Sequence, residues 1–143
     1  DETLFDEPYV LEGSFIDLFD PSLPIVTRKE LEPGTQAFLY DLRKAPKAPA
    51  ILAAASRAYD LHRTRRTFSY VCKAPAETYN VTRILLRRKP LSVLVDGQPA
   101  CDLVGDPAGA PAGSAVSAWD PATRTLFLRF PNTPDGVRVE IRW

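Results

Sequence analysis

Hydrolytic chemistry needs a nucleophile with its base, or two acids at a set separation, and this sequence offers little to build either from. His62 is the one histidine, set among Arg63, Arg65 and Arg66. No serine or cysteine stands in a recognisable nucleophile motif. An exposed loop histidine is therefore the expected reading, and no catalytic triad or histidine-based metal site is expected. Acids are more plentiful: Glu12, Asp17, Asp20, Asp41, Asp60 and Glu77 could by type serve a glycoside hydrolase. Most of them sit beside Pro, Gly or other turn residues, where carboxylates cap turns and face water. Catalysis is not expected of them. A small hydrolase using paired carboxylates remains an alternative, with two acids facing one cleft about 5–10 Å apart as its signature.

Binding chemistry has better material. Tyr59, Tyr79 and Trp119 are side chains on which sugar rings stack, and they are the candidate ligand-binding residues. Trp143 and Trp119 also fit structural roles, Trp143 as the last inward position of a strand and Trp119 as the closure of one end of a core. The basic run His62 to Arg66 and the trio Arg87-Arg88-Lys89 would form an anion patch if they converged, but charged hairpin ends that block edge-to-edge pairing are the simpler expectation. Asn80-Val81-Thr82 matches a glycosylation acceptor, here read as chance within a strand. No phosphate-cradling glycine loop occurs. Cys72 and Cys101 are too few for structural zinc. Two separate buried thiols are expected; the alternative is a disulfide closing a loop of about 29 residues and adding about 3.5 kcal/mol.

The elements that would hold these residues are short. Fourteen prolines spread along the chain interrupt any long helix. Val137, Val139, Ile141 and Trp143 alternate with Arg138, Glu140 and Arg142, the period of a half-buried strand. Leu126, Leu128 and Phe130 share a face in Thr123 to Phe130, and the turn residues of Pro131 to Gly136 join the two runs as a predicted hairpin. Leu91, Val93 and Val95 alternate into Asp96-Gly97, a pair that tolerates positive φ in a tight turn. Thr67 to Lys73 and Tyr79 to Arg88 are rich in β-branched and aromatic residues. Phe15 to Phe19 and Ala37 to Leu42 are further candidate strands.

Ala50 to Arg66 is the contested stretch. Ile51, Leu52, Ala55, Ala58, Tyr59 and His62 fit an amphipathic helix, yet Ile51 to Tyr59 can pair with Thr67 to Lys73 across the basic loop, and the segment is read as strand. Gly105 to Ser117 is almost wholly small and turn-forming, which predicts a mobile surface loop. Seven or eight strands with few or no helices predict an all-β chain, a two-layer antiparallel sandwich of immunoglobulin-like or jelly-roll type forming a single domain over 1–143.

Composition bounds the remaining possibilities. The chain has 143 residues, 45% apolar and 25% charged, with 18 basic residues against 18 acidic. A chain of this size buries roughly 68–70% of its unfolded surface, so a core is available without metals. The balance of charge argues against a general nucleic-acid or membrane-surface protein, and no run approaches the ~18 apolar residues of a membrane helix. A chain without methionine that begins at Asp1 is expected to have been excised or processed from something longer.

Within Thr82 to Trp143, three stretches carry a resemblance. They are Pro90-Leu91-Ser92-Val93-Leu94-Val95-Asp96-Gly97, then Trp119-Asp120-Pro121-Ala122-Thr123-Arg124-Thr125-Leu126 leading into Phe127 to Phe130, then Gly136 to Ile141. Together they resemble the C-terminal β-sandwich domains that follow catalytic modules in bacterial glycoside hydrolases and related secreted carbohydrate-active proteins. The resemblance implies a noncatalytic accessory domain, secreted or in the cell envelope, without cofactor. Its partner would be a polysaccharide or the adjacent catalytic domain, not nucleic acid or membrane. A protein-interaction domain using the basic hairpin ends is a further alternative.

Overall fold

A computed structural model describes residues 2–4, 9–18, 20–31, 36–44, 46–103 and 112–143, and side chains from Gly13 to Leu18, Asp20 to Thr27, Tyr40 to Lys44 and through the later segments. The chain is all-β: fourteen strands, one 3-10 turn at Leu42–Lys44, and no α-helix among the described residues. It divides into two compact units, Asp1–Pro46 and Lys47–Trp143. The expectation of one sandwich across the whole length thus meets a narrower object, because the two facing sheets both belong to the second unit.

The first unit is a four-stranded sheet in the order β1 (Glu2–Leu4), β4 (Gln36–Asp41), β2 (Tyr9–Asp17), β3 (Ile25–Leu31). The run at Phe15 is therefore the end of a longer strand, and β3 is one that patterning missed. The register of β2 on β3 shifts between Glu12 and Phe15. Gly13 sits in that irregularity at φ 145°, where a side chain would be strained, and a Cβ there would meet the Phe15 ring at 3.1 Å.

The second unit holds two five-stranded sheets. One has the order β10 (Gln98–Pro99), β9 (Ser92–Val95), β14 (Val137–Arg142), β7 (Thr67–Cys72), β6 (Ala58–Arg63); the other runs β11 (Cys101–Asp102), β12 (Val116–Asp120), β13 (Thr125–Pro131), β8 (Tyr79–Leu85), β5 (Ala50–Ala54). All pairings are antiparallel except the short β11–β12 contact. Inward residues of both sheets meet in one core: Phe68, Tyr70 and Cys72 of β7 and Val137, Val139 and Ile141 of β14 face Ile84 of β8 and Leu126, Leu128 and Phe130 of β13. The period of two in the sequence reports this burial directly.

Four expectations are corrected. First, β13 and β14 form no hairpin, since β13 pairs with β12 and β8 while β14 pairs with β7 and β9. Residues 132–136 carry the chain from one sheet to the other. Alternation shows which residues face inward but not which strand lies alongside. Second, Ala50 to Arg66 is extended, yet only β6 pairs with β7; β5 joins β8 in the opposite sheet. Third, Leu91 precedes its strand and is 81% exposed. Fourth, Val116 and Ser117 belong to β12 and are buried, while residues 105–111 of the predicted loop lie outside the described residues.

Asp96 and Gly97 form the predicted two-residue turn between β9 and β10, with φ of 49° and 78°, the signature of a primed turn. Cys72 is buried and Cys101 exposed, and both are free thiols. Asn80 is fully buried on the inner face of β8. Its amide donates to the Ser56 hydroxyl and its carbonyl accepts from Thr82, 2.6 Å away. The acceptor tripeptide is thus internal wiring of the core. Asn80→Ala leaves the Thr82 hydroxyl without that acceptor in a dry interior, so a loss of about 1–3 kcal/mol is expected, read as a lower urea midpoint.

Candidate functional site

The three aromatic candidates do not share a surface. Tyr59 is on the edge strand β6 of one sheet and is 39% exposed; Tyr79 opens β8 in the other sheet and is 42% exposed. Trp119 is on β12, half-buried and packed against the core. It pairs with Leu126, an inward position, whereas Tyr79 pairs with Pro131, five residues further along β13 and so of opposite parity. Trp119 and Tyr79 therefore point to opposite faces and lie on the order of 17 Å apart along the strand.

Both tyrosine rings also have cations over them. The Arg57 guanidinium lies 5.1 Å from the Tyr59 centroid and that of Arg129 lies 5.3 Å from Tyr79. The Tyr79 hydroxyl accepts the Gly113 N–H at 2.9 Å. Arg83 covers Phe127, its register partner, in the same manner. Guanidinium–aromatic stacking of this kind is favourable in itself, and it occupies a ring face that a sugar would need.

The acids behave as turn and pairing residues. Asp20 accepts from the Ser22 N–H and hydroxyl, and Asp60 and Glu77 are exposed at φ of 50° and 66°. Asp17 and Asp41 lie on adjacent strands of the first unit, their register partners being Leu39 and Phe15. Asp41 is clamped by Arg43 through both carboxylate oxygens at 3.1 and 3.0 Å, and the side-chain hydrogen bond holds its carboxyl below the usual range. A glycosidase general acid needs the opposite shift. Glu12 is placed in β2, with its side chain outside the described residues. His62 is exposed on β6 with Ser69 as its register partner, and no side-chain hydrogen bond joins them among the described residues. No group of three metal-ligating side chains occurs among the described residues.

The basic runs do converge. Arg142 pairs with Thr67 and with Ser92, so the β6–β7 turn, the end of β14 and the start of β9 share one end of the sandwich. Trp143 N–H donates to the Arg66 carbonyl and Leu91 N–H to that of Arg142. Leu86 N–H donates to the Arg124 carbonyl, which brings the β8–β9 connection, with Arg87, Arg88 and Lys89, beside the β12–β13 turn at the same end. The β6–β7 turn is held by Thr64, whose hydroxyl accepts the N–H groups of Arg66 and Thr67. This leaves the arginine side chains exposed.

Charge segregation underlies this. The second unit has 14 Lys and Arg against 8 Asp and Glu, a net of +6, and the first has 4 against 10, a net of −6. The neutrality of the whole chain thus conceals a basic sandwich. Two grooves open at its basic end. One, of about 550 Å³, is walled by Thr64, Arg65, Arg66, Leu91, Arg142 and Trp143. The other, of about 390 Å³, runs between Lys89, Leu91, Asp102 and Trp119. Leu91 and Arg142 were not among the sequence candidates. The signal available was Leu91 following a proline and three cations, where an inward leucine is out of place.

Comparison with known proteins gives a likeness of fold. No protein-family model and no curated protein match the chain. Among solved structures it is similar to a GH31 dextranase of Flavobacterium johnsoniae, in a mutant complexed with isomaltotriose and in a complex with glucose. The TM-scores are 0.52 and 0.51 at 11% identity, covering 100% of this chain and 24% of the dextranase chain.

Proposed function

We propose that the chain is a noncatalytic accessory region of a bacterial glycoside hydrolase, secreted or envelope-facing, which supports a neighbouring catalytic module. The observation that carries this reading is the likeness of fold: the whole chain matches about a quarter of a dextranase, and the remaining three quarters of such an enzyme leave ample room for a catalytic module. The resemblance of Thr82 to Trp143 to sandwiches that follow such modules supports the same reading. The dispersed aromatics favour support over an aromatic glycan platform, because a stacking surface needs two or three rings on one exposed face, and Tyr59, Tyr79 and Trp119 are spread over two sheets and both faces.

The test is made in cis. The open reading frame that carries this chain is expected to encode a glycoside hydrolase module. Excising residues 47–143 is expected to lower that module's thermal midpoint, by about 2–4 °C for each kcal/mol of lost packing. An unchanged midpoint, or sugar release by the isolated chain, would count against the proposal.

A further inference from the structure

The basic end of the sandwich has no counterpart in a purely supporting role. Arg65, Arg66 and Arg142 line a groove together with Thr64, Thr67, Leu91 and Trp143, and among the described residues no side-chain carboxylate pairs with these arginines. Glu140, two residues before Arg142 on β14, Asp120, Asp102 of the neighbouring groove and, in the 143-residue chain, the α-carboxylate of Trp143 are acids of this part of the unit. The Asp120 carboxylate is taken up by its own turn, accepting from Ala122 N–H and the Thr123 hydroxyl. Three guanidinium groups lining one groove repel one another. An anion relieves that repulsion.

We propose that this groove binds a carboxylated polysaccharide, with the three arginines meeting uronate carboxylates and Trp143 and Leu91 meeting the apolar faces of the sugar rings. The choice of a polysaccharide rests on the accessory reading above; the choice of an acidic one rests on the charge. Of the 14 cations of this unit 11 are arginine, whose planar fork matches carboxylate oxygens in a bidentate manner. A tryptophan beside the fork adds a flat apolar contact of the kind ligand sites combine with a few polar groups. Single-stranded nucleic acid is favoured less. It calls for a basic groove that tracks the backbone with successive aromatics for the bases, and here one tryptophan stands at the end of a sandwich.

The experiment is affinity electrophoresis of the full 143-residue chain in native gels containing polygalacturonate, neutral dextran or no polymer, with single-stranded DNA as competitor. Retardation by polygalacturonate but not by dextran is expected, weakening steeply as NaCl rises from about 50 to 500 mM. The triple variant Arg65→Gln, Arg66→Gln, Arg142→Gln is expected to lose at least about tenfold in affinity, since each substitution removes a charge-assisted contact. Its thermal midpoint should stay within about 2 °C, because all three side chains are exposed. Trp143→Leu keeps the charge and is expected to weaken polygalacturonate binding while leaving residual DNA attraction unchanged. The proposal is overturned if polygalacturonate causes no retardation, if the triple variant is retarded like the parent, or if DNA competes at lower concentration than polygalacturonate itself. The excision experiment reads the accessory role separately, so a silent gel beside a lowered midpoint removes the ligand and keeps the support.

Discussion

Phe130→Ala is expected to lower the unfolding free energy of the sandwich by about 3–5 kcal/mol. Phe130 is fully buried on the inner face of β13, where its neighbours include inward residues of β7, β8 and β14. Removing the ring deletes its transfer free energy and leaves a void that the surrounding strands cannot close, because ladder hydrogen bonds fix β13 to β12 and β8 on either side. A domain of about 100 residues has some 5–15 kcal/mol of stability in total, so this one change removes a large fraction of it. Urea titration by tryptophan fluorescence measures the shift. An exposed control, Arg87→Ala, is expected to stay within about 0.5 kcal/mol. A Phe130→Ala protein that unfolded at the parental urea concentration would show that the two sheets do not share the core described.

The second large effect is alkaline. Burial pushes the Tyr70 hydroxyl far above its ordinary value near 10, and a charge on the adjacent Cys72 would push it further; burial likewise raises the Cys72 thiol. No hydrogen bond of good geometry reaches the Tyr70 oxygen among the described residues, although Thr82 is close enough to oppose the shift. The folded state therefore keeps both protons at pH values where the unfolded chain releases them. Stability from such groups is fully present below the unfolded pKa values, about 8.5 for Cys and 10 for Tyr, and is lost as pH rises above them. For Tyr70 the slope approaches about 1.4 kcal/mol per pH unit above pH 10, and integrated from pH 10 to 12 the parent is expected to lose about 2.3 kcal/mol through Tyr70 alone. Tyr70→Phe should cancel that part of the loss, and at pH 7 it should be close to neutral because an unbonded buried hydroxyl is removed. Urea midpoints for parent and variant at pH 7, 10 and 12 decide the matter, and parallel curves would mean that Tyr70 is solvated.

Whole-chain charge does not report how charge is divided along the sequence. Equal counts of acids and bases over the whole chain average a first unit of net −6 with a second of net +6. The charge runs at His62 to Arg66 and Arg87 to Lys89 were visible, but 20 residues of sequence lie between them. Only the pairing of β14 with both β7 and β9 brings their ends to one side. In the same way Tyr59, Tyr79 and Trp119 were sensible candidates by type, and sheet membership and strand parity separated them.

By itself the sequence determined the all-β class, the inward faces of β13 and β14 and the Asp96-Gly97 turn. Each of these is local: side-chain direction alternates along a strand whatever lies beside it, and positive φ is a property of one or two residues. The division at Pro46, the assignment of β13 and β14 to different sheets, the exposure of Leu91 and the gathering of arginines at one end were decided only by tertiary structure. Strand pairing is a contact between distant segments, and an alternating run satisfies either sheet equally well until the core between them closes.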